Sequence, residues 1–264
     1  MNASTAKTLS KVPAVTLGFW IIKIAATTLG ETGGDWVTMS LNLGYLVGSA
    51  IFLVIFVAAV TAQISVKKFH PYLYWVVIIA TTTLGTTVAD FCDRSLGAGY
   101  FTGMSTLFVL LMLSLAIWYW RAGSVAVETV DSPRIEKYYW VTILFSQTLG
   151  TALGDFMADD DLHGLGLGYE WSALIFGAGL AVVAALWFWT RLSRAGLFWA
   201  AFILTRPLGA TLGDFLDKPL AMGGLNLSRF YATLALIVFI VICIRVLPQR
   251  PGEHPGGRAA PDAT

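Results

Sequence analysis

Charged residues are scarce in this 264-residue chain, where they make up 12% of the sequence; soluble domains average about 25%. The 17 Lys and Arg residues nearly balance the 16 Asp and Glu residues, which excludes the basic surface of a nucleic-acid-binding protein. Apolar residues reach 56% and the mean hydropathy is +0.71. This composition excludes a disordered chain and a cytosolic enzyme, and it predicts a protein whose main partner is membrane lipid.

Cysteine and recognisable catalytic motifs are also nearly absent. The two cysteines, Cys92 and Cys243, cannot form a disulfide framework. No H-E-x-x-H, C-x-x-C, G-x-S-x-G or Walker sequence occurs, so we expect neither an enzyme nor a bound organic cofactor. No predicted cytoplasmic loop is long enough for an ATPase domain, so any active transport would depend on an ion or proton gradient.

Eight apolar stretches are long enough to cross a hydrocarbon core about 30 Å thick. They are residues 13–31, 43–65, 71–92, 99–120, 137–157, 169–190, 196–215 and 227–247. The predicted fold is therefore all-α, a polytopic membrane protein with eight transmembrane helices in a domain over residues 1–247. Most Lys and Arg residues fall on the side of the two termini, which predicts cytoplasmic termini and a place in the inner membrane. Residues 248–264 are rich in Pro and Gly, and they are predicted to form a disordered cytoplasmic tail.

A repeat is the strongest signal in the sequence. The pattern W-x9-G-x4-D occurs four times without a gap, always on an odd-numbered span. Its members are Trp20, Gly30 and Asp35; Trp75, Gly85 and Asp90; Trp140, Gly150 and Asp155; and Trp199, Gly209 and Asp214. The units cover about 13–65, 71–120, 137–190 and 196–247. Because each unit holds two spans, successive units are parallel, which predicts pseudo-fourfold or pseudo-twofold symmetry with the odd helices inside.

These strings, TTLGETGGD, TTLGTTVAD, QTLGTALGD and RPLGATLGD, resemble a family of bacterial integral membrane proteins. Members of that family consist of four tandem two-helix repeats of unknown function, and the resemblance covers about residues 12–247. The resemblance implies the eight-helix repeat fold. Some members carry the label of a membrane-anchored regulator of amylopullulanase, for which no chemical basis is visible in this sequence.

Each odd helix carries a polar stripe on the face of its Asp, at the positions four, seven and eight residues earlier. The stripe residues are Glu31, Thr28, Thr27, Thr86, Thr83, Thr82, Thr151, Thr148, Gln147 and Arg206, and Lys23 extends the first stripe. Polar faces avoid lipid, so we expect them to converge on an interior or a water-filled path lined by the Thr and Gln residues.

The four repeated Asp residues lie at helix carboxyl ends, where the macrodipole disfavours an anion. Gathering four of them adds repulsion, so we expect a compensating positive charge from Arg206, Lys23 or a bound cation. In the ring, Arg206 is expected to reach Glu31 or Asp35. Two alternatives stay open: each Asp caps a new turn, and Lys23 snorkels to the cytoplasmic face.

The sequence therefore gives two hypotheses. In the first, the protein transports a small cation, such as Mn²⁺ or Mg²⁺ exchanged for protons. Carboxylate and hydroxyl oxygens suit these ions, and the metal site would comprise Asp35, Asp90, Asp155, Asp214 and Glu31, with Lys23 and Arg206 setting its charge balance. In the second, the protein is a membrane sensor or regulatory scaffold whose charges form a structural network. The oligomeric state is not set by the sequence.

Overall fold

A computed structural model describes residues 9–253, which contain eight α-helices. The helices are α1 Leu17–Asp35, α2 Gly44–Ser65, α3 Pro71–Asp90, α4 Tyr100–Ala122, α5 Pro133–Ala158, α6 Tyr169–Trp189, α7 Arg194–Asp217 and α8 Arg229–Val246. The predicted all-α, eight-helix membrane fold is confirmed. Six helices are long and apolar enough to span a membrane unaided. The two others, α1 and α5, are more polar, and their polar residues are buried among neighbouring helices.

The helix starts follow from capping chemistry at the ends of the predicted spans. The side chain of Thr16 accepts a hydrogen bond from the Phe19 amide, and that of His70 accepts one from the Leu73 amide. Pro71 occupies the first position of α3, where no backbone donor is needed. These caps fix where α1 and α3 begin.

The odd helices form a closed inner ring. Helix α1 packs on α3 and α7, and α5 packs on the same two neighbours. Each even helix packs outside, against the odd helix of the following repeat: α2 on α3, α4 on α5, α6 on α7 and α8 on α1. In the apolar windows of the even helices only 11–17% of residues are buried, against 72% for α3 and 61% for α7. The even helices therefore present the surface that faces lipid.

Small residues allow the ring to close. The repeated glycines Gly30, Gly85, Gly150 and Gly209 each face the residue eight positions before the Asp of the next repeat. A Cβ added to Gly85 would lie 2.9 Å from the Thr148 amide nitrogen, which leaves no room for a side chain. The same contact between successive repeats, made four times, produces the predicted pseudo-fourfold arrangement.

A short antiparallel pair closes the end of the ring where the chain enters α1. Strand β1, Leu9–Pro13, pairs with β2, Pro251–Glu253. The side-chain carbonyl of Gln249 also accepts a hydrogen bond from the indole of Trp75 at 3.1 Å. The predicted disorder of residues 248–264 is therefore wrong for residues 249–253, which β1 and α3 hold in place. Residues 254–264 lie outside the described residues.

Candidate functional site

The four repeated Asp residues lie buried at one end of the ring, which we call the carboxylate end. Asp35 and Asp90 are followed by single π-helical turns, Trp36–Ser40 and Phe91–Ser95. Neither Asp side chain caps the turn that follows it. Asp155 and Asp214 lie within α5 and α7. The capping alternative is therefore not what holds these carboxylates in place.

One cationic side chain links the second and third repeats. The Nε atom of Arg94 lies 3.1 Å from Asp90 Oδ1, and its Nη2 atom lies 2.8 Å from Asp159 Oδ2 and 3.9 Å from Asp155 Oδ2. The hydroxyls of Tyr100 and Tyr169 donate to Asp159 at 2.9 and 2.7 Å. Arg94 follows Asp90 by one helical turn, so it pairs with the carboxylate of its own repeat. It also contacts the carboxylate of Asp159 in the next repeat.

A second cationic cluster links the fourth and first repeats. Lys218 Nζ lies 2.9 Å from Asp35 Oδ2 and 3.1 Å from Asp214 Oδ1. Arg229 Nε lies 3.3 Å from Asp217 Oδ2 and 3.8 Å from Asp35 Oδ2. Burial disfavours the charged amine of Lys218, but the carboxylates of Asp214 and Asp35 outweigh burial and raise its pKa well above the usual lysine value. Lys218 is therefore a fixed positive charge at the carboxylate end.

Carboxyl groups nevertheless outnumber cations there. The carboxyl groups are those of Asp35, Asp90, Asp155, Asp159, Asp214 and Asp217, and the cations are Arg94, Lys218 and Arg229. Several buried Asp oxygens find no hydrogen-bond donor within residues 9–253, namely Asp90 Oδ2, both oxygens of Asp93, Asp155 Oδ2, Asp214 Oδ1 and Asp217 Oδ1. Although Asp214 Oδ1 is near Lys218, the two atoms are not aligned as a hydrogen bond. Buried carboxylates without partners are costly unless a proton or a cation joins them.

Two groups of three carboxylates are compact enough to share one ion. Glu31, Asp35 and Asp90 each place one oxygen within 4.8 Å of the other two, and so do Asp35, Asp214 and Asp217. Four of the five predicted metal ligands, Glu31, Asp35, Asp90 and Asp214, therefore fall in these groups. The fifth, Asp155, lies beside Arg94 and joins neither group in the described part of the chain.

Arg206 occupies the middle of the ring and contacts all three other odd helices. Both its terminal nitrogens lie 3.1 Å from Glu31 Oε2 on α1. Its Nη2 atom also donates to the hydroxyls of Thr86 on α3 and Thr151 on α5, and Nη1 donates to the Thr27 carbonyl. The expected pairing of Arg206 with Glu31 is confirmed. This buried ion pair lies in the middle of the ring, where Arg206 is hydrogen-bonded to α1, α3 and α5.

Lys23 lies farther from the carboxylate end and is fully buried. Its Nζ atom lies 3.3 Å from Gln147 Oε1 and 4.1 Å from the centre of the Phe202 ring. The snorkelling alternative is therefore wrong, because the amine points into the ring. The expectation that Lys23 and Arg206 balance the repeated Asp residues also needs correction: the fixed cations beside those residues are Arg94, Lys218 and Arg229.

The predicted path-lining residues divide into two groups. Those on the ring interior meet Arg206, Lys23 or a glycine of the neighbouring helix, and they are Thr27, Thr82, Thr86, Gln147 and Thr151. The others donate to carbonyls of their own helices four residues earlier, and they are Thr28, Thr83 and Thr148. All eight are buried, as expected of polar stripes that avoid lipid. In the second group, however, each hydroxyl already donates its hydrogen bond to a carbonyl of its own helix.

The opposite end of the ring is closed by aromatic side chains, and we call it the aromatic end. It contains Phe19, Tyr74, Tyr139 and Phe198, each sixteen residues before a repeated Asp, with the repeated Trp residues beside them. The hydroxyls of Tyr74 and Tyr139 are 2.6 Å apart. The ring interior therefore changes from carboxylates to packed aromatic rings along its length.

The three cations beside the Asp residues, Arg94, Lys218 and Arg229, are not among the site residues predicted from the sequence. A usable signal existed, because Arg94 and Lys218 each follow a repeated Asp by four residues, a spacing that favours an ion pair on a helix. The pairing of Arg229 with Asp217 and Asp35 depends on how α8 packs on α1, and no local spacing indicates it.

Comparison with known proteins identifies the family. The family model described as Repeat of Unknown Function (DUF347) matches residues 18–69, 73–124, 138–193 and 197–247. The chain therefore belongs to this family and contains four tandem copies of its repeat. No curated protein and no solved structure matches the chain.

Proposed function

We propose that this protein transports a small cation across the membrane, with Mn²⁺ or Mg²⁺ exchanged for protons as the leading case. The observation that carries the proposal is the excess of buried carboxyl groups over fixed cations at the carboxylate end, together with their unpartnered oxygens. Such a site becomes stable when it gains positive charge, either as protons or as a cation. Exchange between these two forms is the elementary step of a cation–proton exchanger.

The ligand chemistry supports a hard cation. The groups available at the carboxylate end are carboxylate and hydroxyl oxygens, which Mg²⁺, Mn²⁺ and Ca²⁺ prefer. Within the described residues neither cysteine joins the two groups of carboxylates, and Cys243 is buried near the end of α8. A site for a soft ion such as Cu⁺ is therefore not supported.

The proposed transport does not use an open pore along the ring axis. Arg206 places a buried guanidinium in the middle of the ring, where Glu31 is the carboxylate that pairs with it, and the Lys23 amine also lies inside the ring. A cation would be repelled there unless the Arg206–Glu31 pair rearranged. We therefore propose alternating access, with the carboxylate end facing outward and both termini in the cytoplasm at the inner membrane.

Flux in reconstituted vesicles tests this proposal. Purified full-length protein should carry Mn²⁺ into vesicles, read by an internal chelating dye, while a pH dye reports protons moving the other way. Asp35→Asn combined with Asp155→Asn should abolish both signals. The matched control combines Asp160→Asn with Asp161→Asn, two exposed acids of the loop after α5, and should keep wild-type flux. Wild-type flux in the Asp35/Asp155 variant would sink the proposal.

One observation favours a second function, a membrane sensor or regulatory scaffold. Asp35, Asp90 and Asp214 each already contact a fixed cation, and Arg206 is bonded to three helices. A network of ion pairs that serves only to stabilise the fold would show the same contacts. It predicts that the wild-type protein carries no ion flux and that Asp35→Asn lowers thermal stability without affecting any transport signal.

A further inference from the structure

The carboxylate end contains four boundaries at which an Asp of one repeat faces an Asp of the next. In ring order these pairs are Asp214 with Asp35, Asp35 with Asp90, Asp90 with Asp155, and Asp155 with Asp214. The backbone contacts at the four boundaries are equivalent, because the repeated glycines set them. Differences between the boundaries therefore come from side chains.

Two opposite boundaries contain a built-in cation. Lys218 follows Asp214 by four residues and contacts both Asp214 and Asp35. Arg94 follows Asp90 by four residues and reaches from Asp90 to Asp155 at 3.9 Å. These two side chains mark the place between neighbouring repeats where a positive charge is held by two carboxylates.

The boundary between Asp35 and Asp90 has no cation that bridges its two carboxylates, because the equivalent residue is Met39. The carboxylates at this boundary are instead paired singly, Asp35 with Lys218, Asp90 with Arg94 and Glu31 with Arg206. Met39 lies in the π-helical turn after α1, just as Arg94 lies in the π-helical turn after α3, so the two positions share a local backbone form. Glu31 adds a third carboxylate at this boundary, and the oxygens of the three residues lie within 4.8 Å of one another. Asp90 is 97% buried and its Oδ2 atom has no hydrogen-bond donor among the described residues.

The remaining boundary, between Asp155 and Asp214, is different. Its residue four positions after the Asp is Asp159, whose carboxylate turns to Arg94 and two tyrosine hydroxyls. Within residues 9–253 no third carboxylate joins Asp155 and Asp214 closely enough to share an ion. The ring thus has one boundary that combines three carboxylates, an unpartnered buried oxygen and a neutral residue at the bridging position.

We propose that Glu31, Asp35 and Asp90 bind a hard divalent cation at the place that Lys218 and Arg94 occupy at the two bridged boundaries. Oxygens bound to one ion at about 2.2 Å lie at most about 4.4 Å apart, so the three carboxylates need only a small contraction. The Thr86 hydroxyl, which donates to Glu31 Oε2 at 3.2 Å, orients one ligand. This inference names the binding site of the proposed transporter, but binding itself does not require that the ion be transported.

Met39→Arg tests the site by giving the first repeat the bridging cation that Arg94 gives the second. The purified full-length protein in detergent is titrated with Mn²⁺, and the electron paramagnetic resonance signal of free Mn²⁺ reports binding. The wild-type protein should bind one Mn²⁺, and Mg²⁺ should compete for it. Met39→Arg should weaken binding at least tenfold, whereas the control Met39→Leu should leave it unchanged.

Asp90→Asn is the second variant, for use if Met39→Arg does not fold. It removes the charge of the residue with the unpartnered oxygen, and we again expect at least a tenfold loss of affinity, against no change for exposed Asp161→Asn. The inference is overturned if the wild-type protein binds no Mn²⁺, or if folded Met39→Arg or Asp90→Asn binds it as the wild type does. Binding that responds as expected, combined with no flux in vesicles, upholds this site and removes the transport proposal. Flux that is intact in folded Met39→Arg overturns this site and leaves the transport proposal standing.

Discussion

The carboxylate end and the middle of the ring differ in their balance of acidic and basic side chains. At the carboxylate end six Asp residues share Arg94, Lys218 and Arg229. In the middle Arg206 and Lys23 have one carboxylate between them, that of Glu31. The repeated Asp residues and the residues of the middle lie at different levels of the same four helices, α1, α3, α5 and α7, whereas Arg229 belongs to α8. The difference arises from substitutions within the repeat, above all Arg206 and Lys23 in place of the neutral residues of the other copies.

The contrast shows how a repeated scaffold can be specialised mainly through its side chains, together with the π-helical turns that follow Asp35 and Asp90 but not Asp155 and Asp214. The repeated glycines and the repeated Asp keep the four helices equivalent, while single residues make each boundary different. Under the transport proposal, this arrangement would attract a cation to the carboxylate end and stop it at Arg206. The predictions below alter the two regions separately, beginning with the largest expected effect.

Removing the guanidinium from the middle should have the largest effect. Arg206→Met leaves Glu31 buried without its partner, and breaking a buried ion pair in this way costs about 3–5 kcal/mol of folding free energy. Thermal unfolding in detergent, followed by fluorescence-detected size exclusion, should show a large fall in melting temperature. Arg206→Met combined with Glu31→Gln should recover much of the loss. Equal melting temperatures for the single and double variants would contradict the pairing.

Lys23 should respond in the opposite direction to Arg206. No ion pair joins Lys23 to a carboxylate within the described part of the chain, and its amine rests on an amide oxygen and an aromatic ring. Lys23→Met removes a buried amine and keeps the apolar volume, so the free energy of unfolding should stay level or rise by about 1–2 kcal/mol. The melting temperature of Lys23→Met is measured in the same assay, with Arg206→Met as the contrasting control. A fall as large as that of Arg206→Met would show that Lys23 has a structural role.

Much of this architecture could be predicted from the sequence, because the repeat constrains it. The apolar spans predict the eight helices, and the four W-x9-G-x4-D copies predict the polar faces and limit the partner of Arg206 to Glu31 or Asp35. The structure selects Glu31. The direction of Lys23 could not be predicted, because snorkelling and an inward orientation differ only in what surrounds the side chain. Phe202 and Gln147 decide it, and both are far from Lys23 in the chain.

The charge balance of the carboxylate end was harder to predict for a related reason. Lys218 and Arg94 act across repeat boundaries, so their second partners, Asp35 and Asp155, are identified only when the order of helices around the ring is known. Residues 249–253 were also misjudged. Their Pro- and Gly-rich composition is typical of disorder, yet β1 offers them backbone partners and Trp75 bonds to Gln249.

Lys218 gives the effect that depends on pH. Because its pKa is raised in the folded protein, the stabilisation it provides is fully present below the unfolded lysine pKa of about 10.4 and is lost as the pH rises through the higher folded value. The wild-type protein should therefore exceed Lys218→Met in melting temperature throughout pH 7 to 10, because the variant leaves the buried carboxylates of Asp35 and Asp214 without their shared cation. The gap should close only at more alkaline pH. Arg94→Met is the control, because a guanidinium does not titrate in this range and its gap to the wild type should not close with that of Lys218→Met. A Lys218→Met gap that closes below pH 10 would mean that Asp35 and Asp214 do not hold the ammonium as the geometry indicates.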